Sequence, residues 1–322
     1  MNARSLFALV LFASATTLAC AASNHDSGPA GLGTPASSDD MFAVLEAPGP
    51  VQFERVVAAD WVVNRGGLIN LDHPRSQAAG LEDGDEAIQI YFYVLQHPVF
   101  GAFMIDSGIE AGFRHPDGNE RVSAIVRAAM ATDSLRVHTT TREWLDRRSM
   151  KLSGVFLTHI HLDHIMGVPD LNGGTVVYTG PGETSASLFT NAFSRGTTDR
   201  LLERVGPLQE WQFEPDPAGR FAGLLDVFGD GSLWAIHVPG HSPGSTAFVV
   251  RTPQGPKLVA GDASHTRWGW MNGVEPGSFS LDGPRSAKSL ATLLALNQRF
   301  PALEVHLGHQ SLGADGPLAA VR

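Results

Sequence analysis

Between residues 158 and 167 the chain reads Thr-His-Ile-His-Leu-Asp-His-Ile-Met-Gly, which sets His159, His161, Asp163 and His164 within six positions. The apolar run Val155-Phe156-Leu157 leads into this cluster and reads as a buried strand, so the polar residues fall on the loop where that strand ends. On such a loop the side chains at i and i+2 converge on one point, while those at i+4 and i+5 turn toward a second. Imidazole and carboxylate are the donors that borderline divalent ions such as zinc take. A chain with this loop needs a fold that brings further donors to the same place.

Three more polar residues stand in the same local setting. His241 lies in Val-Pro-Gly-His-Ser-Pro-Gly-Ser, after the apolar strand 233–238. Asp262 lies in Val-Ala-Gly-Asp-Ala-Ser-His, after the strand 257–260. His309 lies in Val-His-Leu-Gly-His-Gln, after the strand 303–307. Each sits where a short hydrophobic strand runs out into a glycine-marked turn. With the first cluster they make five histidines and two aspartates at strand ends, enough for two adjacent metals.

The ordered set H-x-H-x-D-H, then His, then Asp, then His resembles the metallo-β-lactamase superfamily of metal-dependent hydrolases over residues 88–310. The resemblance implies an αββα sandwich, two mixed sheets flanked by helices with the metals at one edge. It implies that His159, His161 and His241 hold one divalent ion, that Asp163, His164 and His309 hold a second, and that Asp262 bridges them. Zinc is the expected ion. The family's D-x-G turn has its counterpart in Asp106-Ser107-Gly108, which supports the metal loop without being a ligand.

Local context around His241 and Asp262 is most similar to N-acyl homoserine lactone hydrolases and their methyl parathion hydrolase-like relatives. The expected activity is lactone opening or ester cleavage by a hydroxide between two metals. An organophosphate or aryl-ester hydrolase is the alternative. A bridging Asp262 disfavours a true β-lactamase, and a glyoxalase II-like thioesterase stands behind these. An iron-dependent oxidoreductase or a metal-binding scaffold would be the non-hydrolytic readings. Asp163 is expected to pass a proton to the leaving group as well as to bind metal. His265 stands where many such lactonases carry a tyrosine, and its imidazole is expected to donate to the developing oxyanion. Trp268, Trp270 and Met271, in a glycine-broken loop, are expected to wall the pocket for an acyl or aromatic arm. His237 and His306 read as structural.

The 322 residues, 43% of them hydrophobic, can bury one large two-layer core. A net charge of −10 argues against nucleic acid as a partner, because phosphate backbones demand clustered Lys and Arg. Residues 1–20 read as an export signal: Arg4, then an apolar centre over residues 6–12, then Thr16-Thr17-Leu18-Ala19-Cys20. Cys20, the single cysteine, fits a bacterial lipoprotein box, while Ala19-Cys20-Ala21 also fits ordinary cleavage. Either way the protein is expected outside the cytoplasm, in the periplasm or lipid-anchored, with any membrane contact made through a lipid on Cys20. Residues 21–41, rich in Ser, Gly, Pro and Asp, read as a flexible tether before a hydrolase domain over 42–322.

Within that domain, residues 51–63 and 88–95 alternate as strands. The stretch 119–130 has helical spacing, Leu145 belongs to a short helix, and 183–205 reads as one or two helices broken near Gly196-Thr197-Thr198. Residues 206–223 read as strand and loop. The clearest amphipathic helix covers 286–299, with Leu290, Leu293, Leu294 and Leu296 inward.

Overall fold

In the strand Asp85–His97, successive side chains go to different cores, and this alternation sets the layering of the whole molecule. Ile88, Ile90, Phe92 and Val94 face one buried cluster, while Tyr91, Tyr93 and Leu95 face another. The strand Leu233–His237 does the same in the second sheet: Trp234 and Ile236 point outward to a third cluster, Leu233 and Ala235 inward. A chain with two double-faced sheets must cover both outer faces with something apolar. The computed structural model describes residues 20–115, 119–188 and 191–313, and there helices supply that cover.

The larger sheet runs, neighbour to neighbour, Ser27–Pro29, Leu208–Glu210, Val176–Thr179, Leu152–Phe156, Gly101–Ile105, Asp85–His97, Gln52–Asn64 and Arg136–Val137. Pairing is parallel from Ser27–Pro29 to Gly101–Ile105 and antiparallel beyond. The smaller sheet runs Glu304–His306, Gly255–Val259, Thr246–Thr252, Leu233–His237, Leu224–Asp226 and Thr34–Pro35, with only its first pair parallel. Tyr91, Phe103, Phe156, Trp211 and Phe248 fill the space between the sheets. On the larger sheet's outer face lie Trp144 and Leu145 of the helix Thr141–Arg148 and Leu201 and Leu202 of the helix Asn191–Leu202. On the smaller sheet's outer face lie Leu290, Leu293 and Leu296 of the helix Gly283–Arg299, with Met41 of the helix Ser38–Val44. This is the αββα sandwich expected. Among the described residues no helix is long and apolar enough to cross a membrane.

Local chemistry explains where the helices stop and start. Thr140 and Glu143 form a reciprocal capping box on Thr141–Arg148, and Asp282 caps Gly283–Arg299 through the Arg285 amide. The stretch expected to be helical over 119–130 forms only Ala124–Ala129. Ser123 caps that helix through Val126 N, and Asn119 instead turns back to accept from Arg121 N and donate to Glu110. The expected break at Gly196-Thr197-Thr198 is absent. The helix runs through it, with the Thr198 hydroxyl donating back to Ser194 O at 3.4 Å.

The segment 21–41 departs furthest from expectation. It is sewn onto the domain instead of hanging free. Ser27–Pro29 pairs with the edge strand Leu208–Glu210 of one sheet, and Thr34–Pro35 pairs with Leu224–Asp226 of the other. Edge strands offer backbone groups that any sequence can satisfy, so a polar, proline-rich composition does not prevent docking there. Residues 1–19, which carry most of the expected export signal, lie outside the described residues.

Candidate metal centre

Parallel neighbours end at the same rim of a sheet, and this brings the polar turns together. Leu152–Phe156 and Gly101–Ile105 are parallel, as are Gly255–Val259 and Glu304–His306. Leu233–His237 is separated from Gly255–Val259 by one antiparallel strand, so it too points the same way. Their C-terminal turns hold His159 to His164, His241, Asp262 and His309.

The side chains gather in two sets. His159, His161 and His241 form one, and Asp163, His164, Asp262 and His309 the other, with the donor atoms of each set within 4.8 Å of one another. His241 Nε2 lies 3.1 Å from His159 Nε2 and 2.8 Å from His161 Nδ1. Asp262 Oδ2 stands between the sets, 3.6 Å from His159 Nε2, 3.3 Å from His241 Nε2, and 3.4 Å from both His164 Nε2 and His309 Nε2. All seven residues expected as ligands from the sequence are brought to this one place.

Hydrogen bonds behind the rings show what the site is built to hold. His309 Nδ1 lies 3.0 Å from Gln89 O and His265 Nδ1 lies 3.1 Å from Leu68 O. A carbonyl oxygen only accepts, so each Nδ1 carries the proton, and in the neutral ring Nε2 is a bare lone pair. Those lone pairs face Asp262 Oδ2, at 3.4 Å and 3.0 Å. Lone pair against carboxylate is repulsive unless a proton or a cation lies between them. Asp106 holds His164 Nδ1 in the same manner at 2.9 Å, and His164 Nε2 and Asp262 Oδ1 are buried without a hydrogen-bond partner. Rings anchored at one nitrogen and aimed with the other are the arrangement that metal-ligating histidines adopt. The donor set fits divalent cations.

Electrostatics agree. Burial first, and the neighbouring imidazoles after it, hold His159 and His241 well below the ordinary imidazole value, so both stay neutral and able to ligate. His309 goes the other way. Burial alone would lower it, but Asp262 and Asp163 outweigh burial and push it up to about 10. Burial would raise Asp163, yet the imidazoles of His164 and His309 hold it below the carboxylate range.

Asp106-Ser107-Gly108 sits beneath the first cluster, as its sequence pattern suggested. Asp106, at a positive φ of 56°, accepts from Thr158 N at 2.8 Å, and Ser107 Oγ donates to His164 O at 2.7 Å. Glu183 is a residue that sequence reasoning missed. Buried in the turn after Val176–Thr179, its carboxylate accepts from Ile160 N, from Gly244 N and from Ser242 Oγ. It thereby ties the His159–His161 loop to the His241 loop. Gly308 is a second miss: a Cβ there would lie 2.1 Å from Asp262 Oδ1.

Two groups of expectations need correction. His265 was expected to offer an N–H to substrate, but Nδ1 is committed to Leu68 O and Nε2 faces Asp262 Oδ2, so it forms a further donor group with His241 and Asp262. Trp268, Trp270 and Met271 do not form one apolar wall. Residues Arg267–Asn272 make a short helix capped by Thr266, not a loop, and helical positions two apart point to opposite sides. Trp270 is buried under Gly283–Arg299, Trp268 packs on the other core, and Met271 is 70% exposed. His237, 2.9 Å from Pro243 O and stacked on Phe213, and His306 stay outside the centre. A cleft beside His161 and His241 is lined instead by Ala22, Leu162, Ala186, Ser194, Thr198 and Leu281, among others.

Comparison with known proteins gives the same picture. The family model "Metallo-beta-lactamase superfamily" matches residues 87–309. N-acyl homoserine lactonase AttM of Azorhizobium caulinodans is 29% identical over 216 residues, covering 65% of this chain and 78% of that protein. AttM of Agrobacterium fabrum is 29% identical over 214 residues, with 65% and 78% covered. Among solved structures, a quorum-quenching N-acyl homoserine lactone lactonase superposes with a TM-score of 0.56 at 17% identity, covering 82% of this chain and 93% of its own. A probable metal-dependent hydrolase from Staphylococcus aureus gives 0.58 at 16% identity, covering 81% and 90%. These structural likenesses are likenesses of fold. With the family model spanning most of the chain and the donor set at its expected rim, the protein belongs to the metallo-beta-lactamase superfamily and is a metal-dependent hydrolase.

Proposed function

We propose that the centre holds two divalent ions, with zinc the expected pair, and that the enzyme opens lactones of the N-acyl homoserine lactone type or cleaves related esters. The observation that carries this reading is the sharing of Asp262 Oδ2 between two sets of donors, each complete enough for one ion. The AttM relatives, named as lactonases, support the choice of substrate class. Bound there, such ions supply an acidified water and polarise the scissile carbonyl. His159, His161 and His241 would hold one ion, and Asp163, His164 and His309 the other.

The protein's own groups divide the remaining work. Asp262, whose side chain is 2% exposed, would be the ligand common to both ions. Asp163, 15% exposed at the side chain and held ionised by His164 and His309, can take the proton given up by the attacking water and pass it to the departing alkoxide. His265, with Nδ1 on Leu68 O and Nε2 turned to Asp262, faces the donor cluster and not the lactone oxygen. Since no phenol stands at that position, an organophosphate or aryl-ester hydrolase is the second reading. We also infer export, with Cys20 either lipidated or lost; the mass of the mature N-terminus distinguishes these.

The test is metal content with a substrate panel: an acyl homoserine lactone, an aryl ester, a phosphotriester and a cephalosporin. Two ions per chain and fastest turnover of the lactone are expected, with both lost in His159→Ala. A single iron per chain, or hydrolysis surviving in His159→Ala, would sink the proposal.

A further inference from the structure

The cleft beside the metal centre shares His161 and His241 with it, so the cleft opens directly onto two of the candidate donors. One of its walls comes from an unexpected part of the chain. Ala22 lines it together with Leu162 of the metal loop and Leu281, an apolar residue 39% exposed. The segment that carries Ala22 is clamped in place by the helix Asn191–Leu202. Asp199 Oδ1 accepts from Ser23 Oγ at 2.6 Å and from Asn24 N at 2.8 Å, and Asp199 Oδ2 accepts from Asn24 Nδ2 at 2.8 Å. Ser23 N donates to Thr184 O at 3.1 Å, and Asn191 Nδ2 donates to Cys20 O at 2.9 Å. A peptide held by this many bonds against the flank of the cleft is a fixed boundary.

We propose that residues 22–25 form a strap that walls the substrate cleft and sets the length of acyl arm the enzyme accepts. The chemistry of the arm rests on the lactone and ester reading above, but the strap's place in the cleft does not. The arm would lie between Ala22 and Leu162, leaving its ester or lactone carbonyl at the histidines. Each methylene buried along this wall contributes about fourfold in kcat/KM, from about 0.8 kcal/mol of burial. Asp199 is a positioning residue, since its carboxylate spends its hydrogen bonds on Ser23 and Asn24 of the strap. Without its carboxylate the freed Ser23 and Asn24 donors turn to water, and the wall loosens while the cores stay packed.

The experiment compares kcat/KM for hexanoyl and dodecanoyl homoserine lactones, and for the matching aryl esters, in the parent, Ala22→Phe and Asp199→Ala. Ala22→Phe is expected to lower the long-to-short ratio at least tenfold, and Asp199→Ala to flatten the parent's chain-length preference at least threefold. Ratios within twofold of the parent in both variants, with melting temperatures preserved, overturn the strap. Should the parent cleave neither lactone nor ester, the functional reading falls, and hydrogen exchange at residues 22–25 decides the strap alone. Slowing by decanoate but not by acetate upholds it. Equal exchange with either overturns it.

Discussion

Loading the centre with metal must expel a proton from His309, and the size of that effect follows from the geometry. His309 Nε2 lies 3.2 Å from Asp163 Oδ2 and 3.4 Å from Asp262 Oδ2, and these carboxylates, outweighing burial, push the ring to about 10. In the metal-free protein the ring is therefore an imidazolium at neutral pH. A cation needs the same Nε2 lone pair. With a folded value of about 10, displacing the proton near pH 7 costs about 4 kcal/mol, roughly a thousandfold in affinity. The sign is fixed. A raised value means the proton is held below it, so metal affinity climbs tenfold per pH unit for each proton displaced and levels off near 10. His164, carried well above the ordinary value by Asp106 and Asp262 despite its burial, steepens the slope further. The metal-free fold behaves oppositely. The stability His309 contributes is complete below its unfolded value of 6.5 and disappears as pH rises through about 10. Chelator competition from about pH 6 to about pH 9, with calorimetry in buffers of different ionisation enthalpy, measures both slope and proton count. Affinity flat across that range, with no proton released, would refute the tautomer and charge assignment of the centre.

Three other substitutions probe separate parts of the structure. Gly308→Ala should displace the Asp262 carboxylate, since a Cβ would meet Oδ1 at 2.1 Å, and lower metal content; a fully loaded variant would contradict this. Glu183→Gln must turn an amide N–H toward either Ile160 N or Gly244 N. Metal affinity should fall about 10- to 100-fold, chiefly at the His159, His161 and His241 set, and an unchanged cobalt titration would show that the tie is dispensable. Leu293→Ala, fully buried under the smaller sheet, should cost about 2–5 kcal/mol of stability in chemical denaturation. Its kcat should stay within a few-fold of the parent below the melting range, and a larger loss would mean that this core and the centre are coupled.

The candidate metal donors are legible in the sequence because each carries its own context, an apolar strand followed by a glycine turn, and because sheet topology brings such turns to one rim. Glu183 also follows a strand and a glycine turn, Val176–Thr179 and then Gly180-Pro181-Gly182, but its work is done on backbone and not on a metal. It is a lone carboxylate after Gly182, and its partners are backbone amides from two loops distant in the chain. Gly308 is similar, since its demand comes from an oxygen on another turn. The Trp268–Trp270 wall fails because the reading assumed a loop, and a single helical turn sends the two rings to different cores. Helix extent is misjudged over 119–130 where Ser123 takes the cap. The tether reading rests on composition, which is blind to backbone pairing at a sheet edge.

That pairing has a practical consequence. The part recognisable by family begins at residue 87, yet Gln52–Asn64 runs beside the whole of Asp85–His97. Ser27–Pro29 and Thr34–Pro35 shield one margin of each sheet. A fragment trimmed to the recognisable stretch would carry raw margins on both sheets and would be prone to self-association. The portable unit, for recombination in the laboratory or in evolution, is longer than the stretch that relatives reveal.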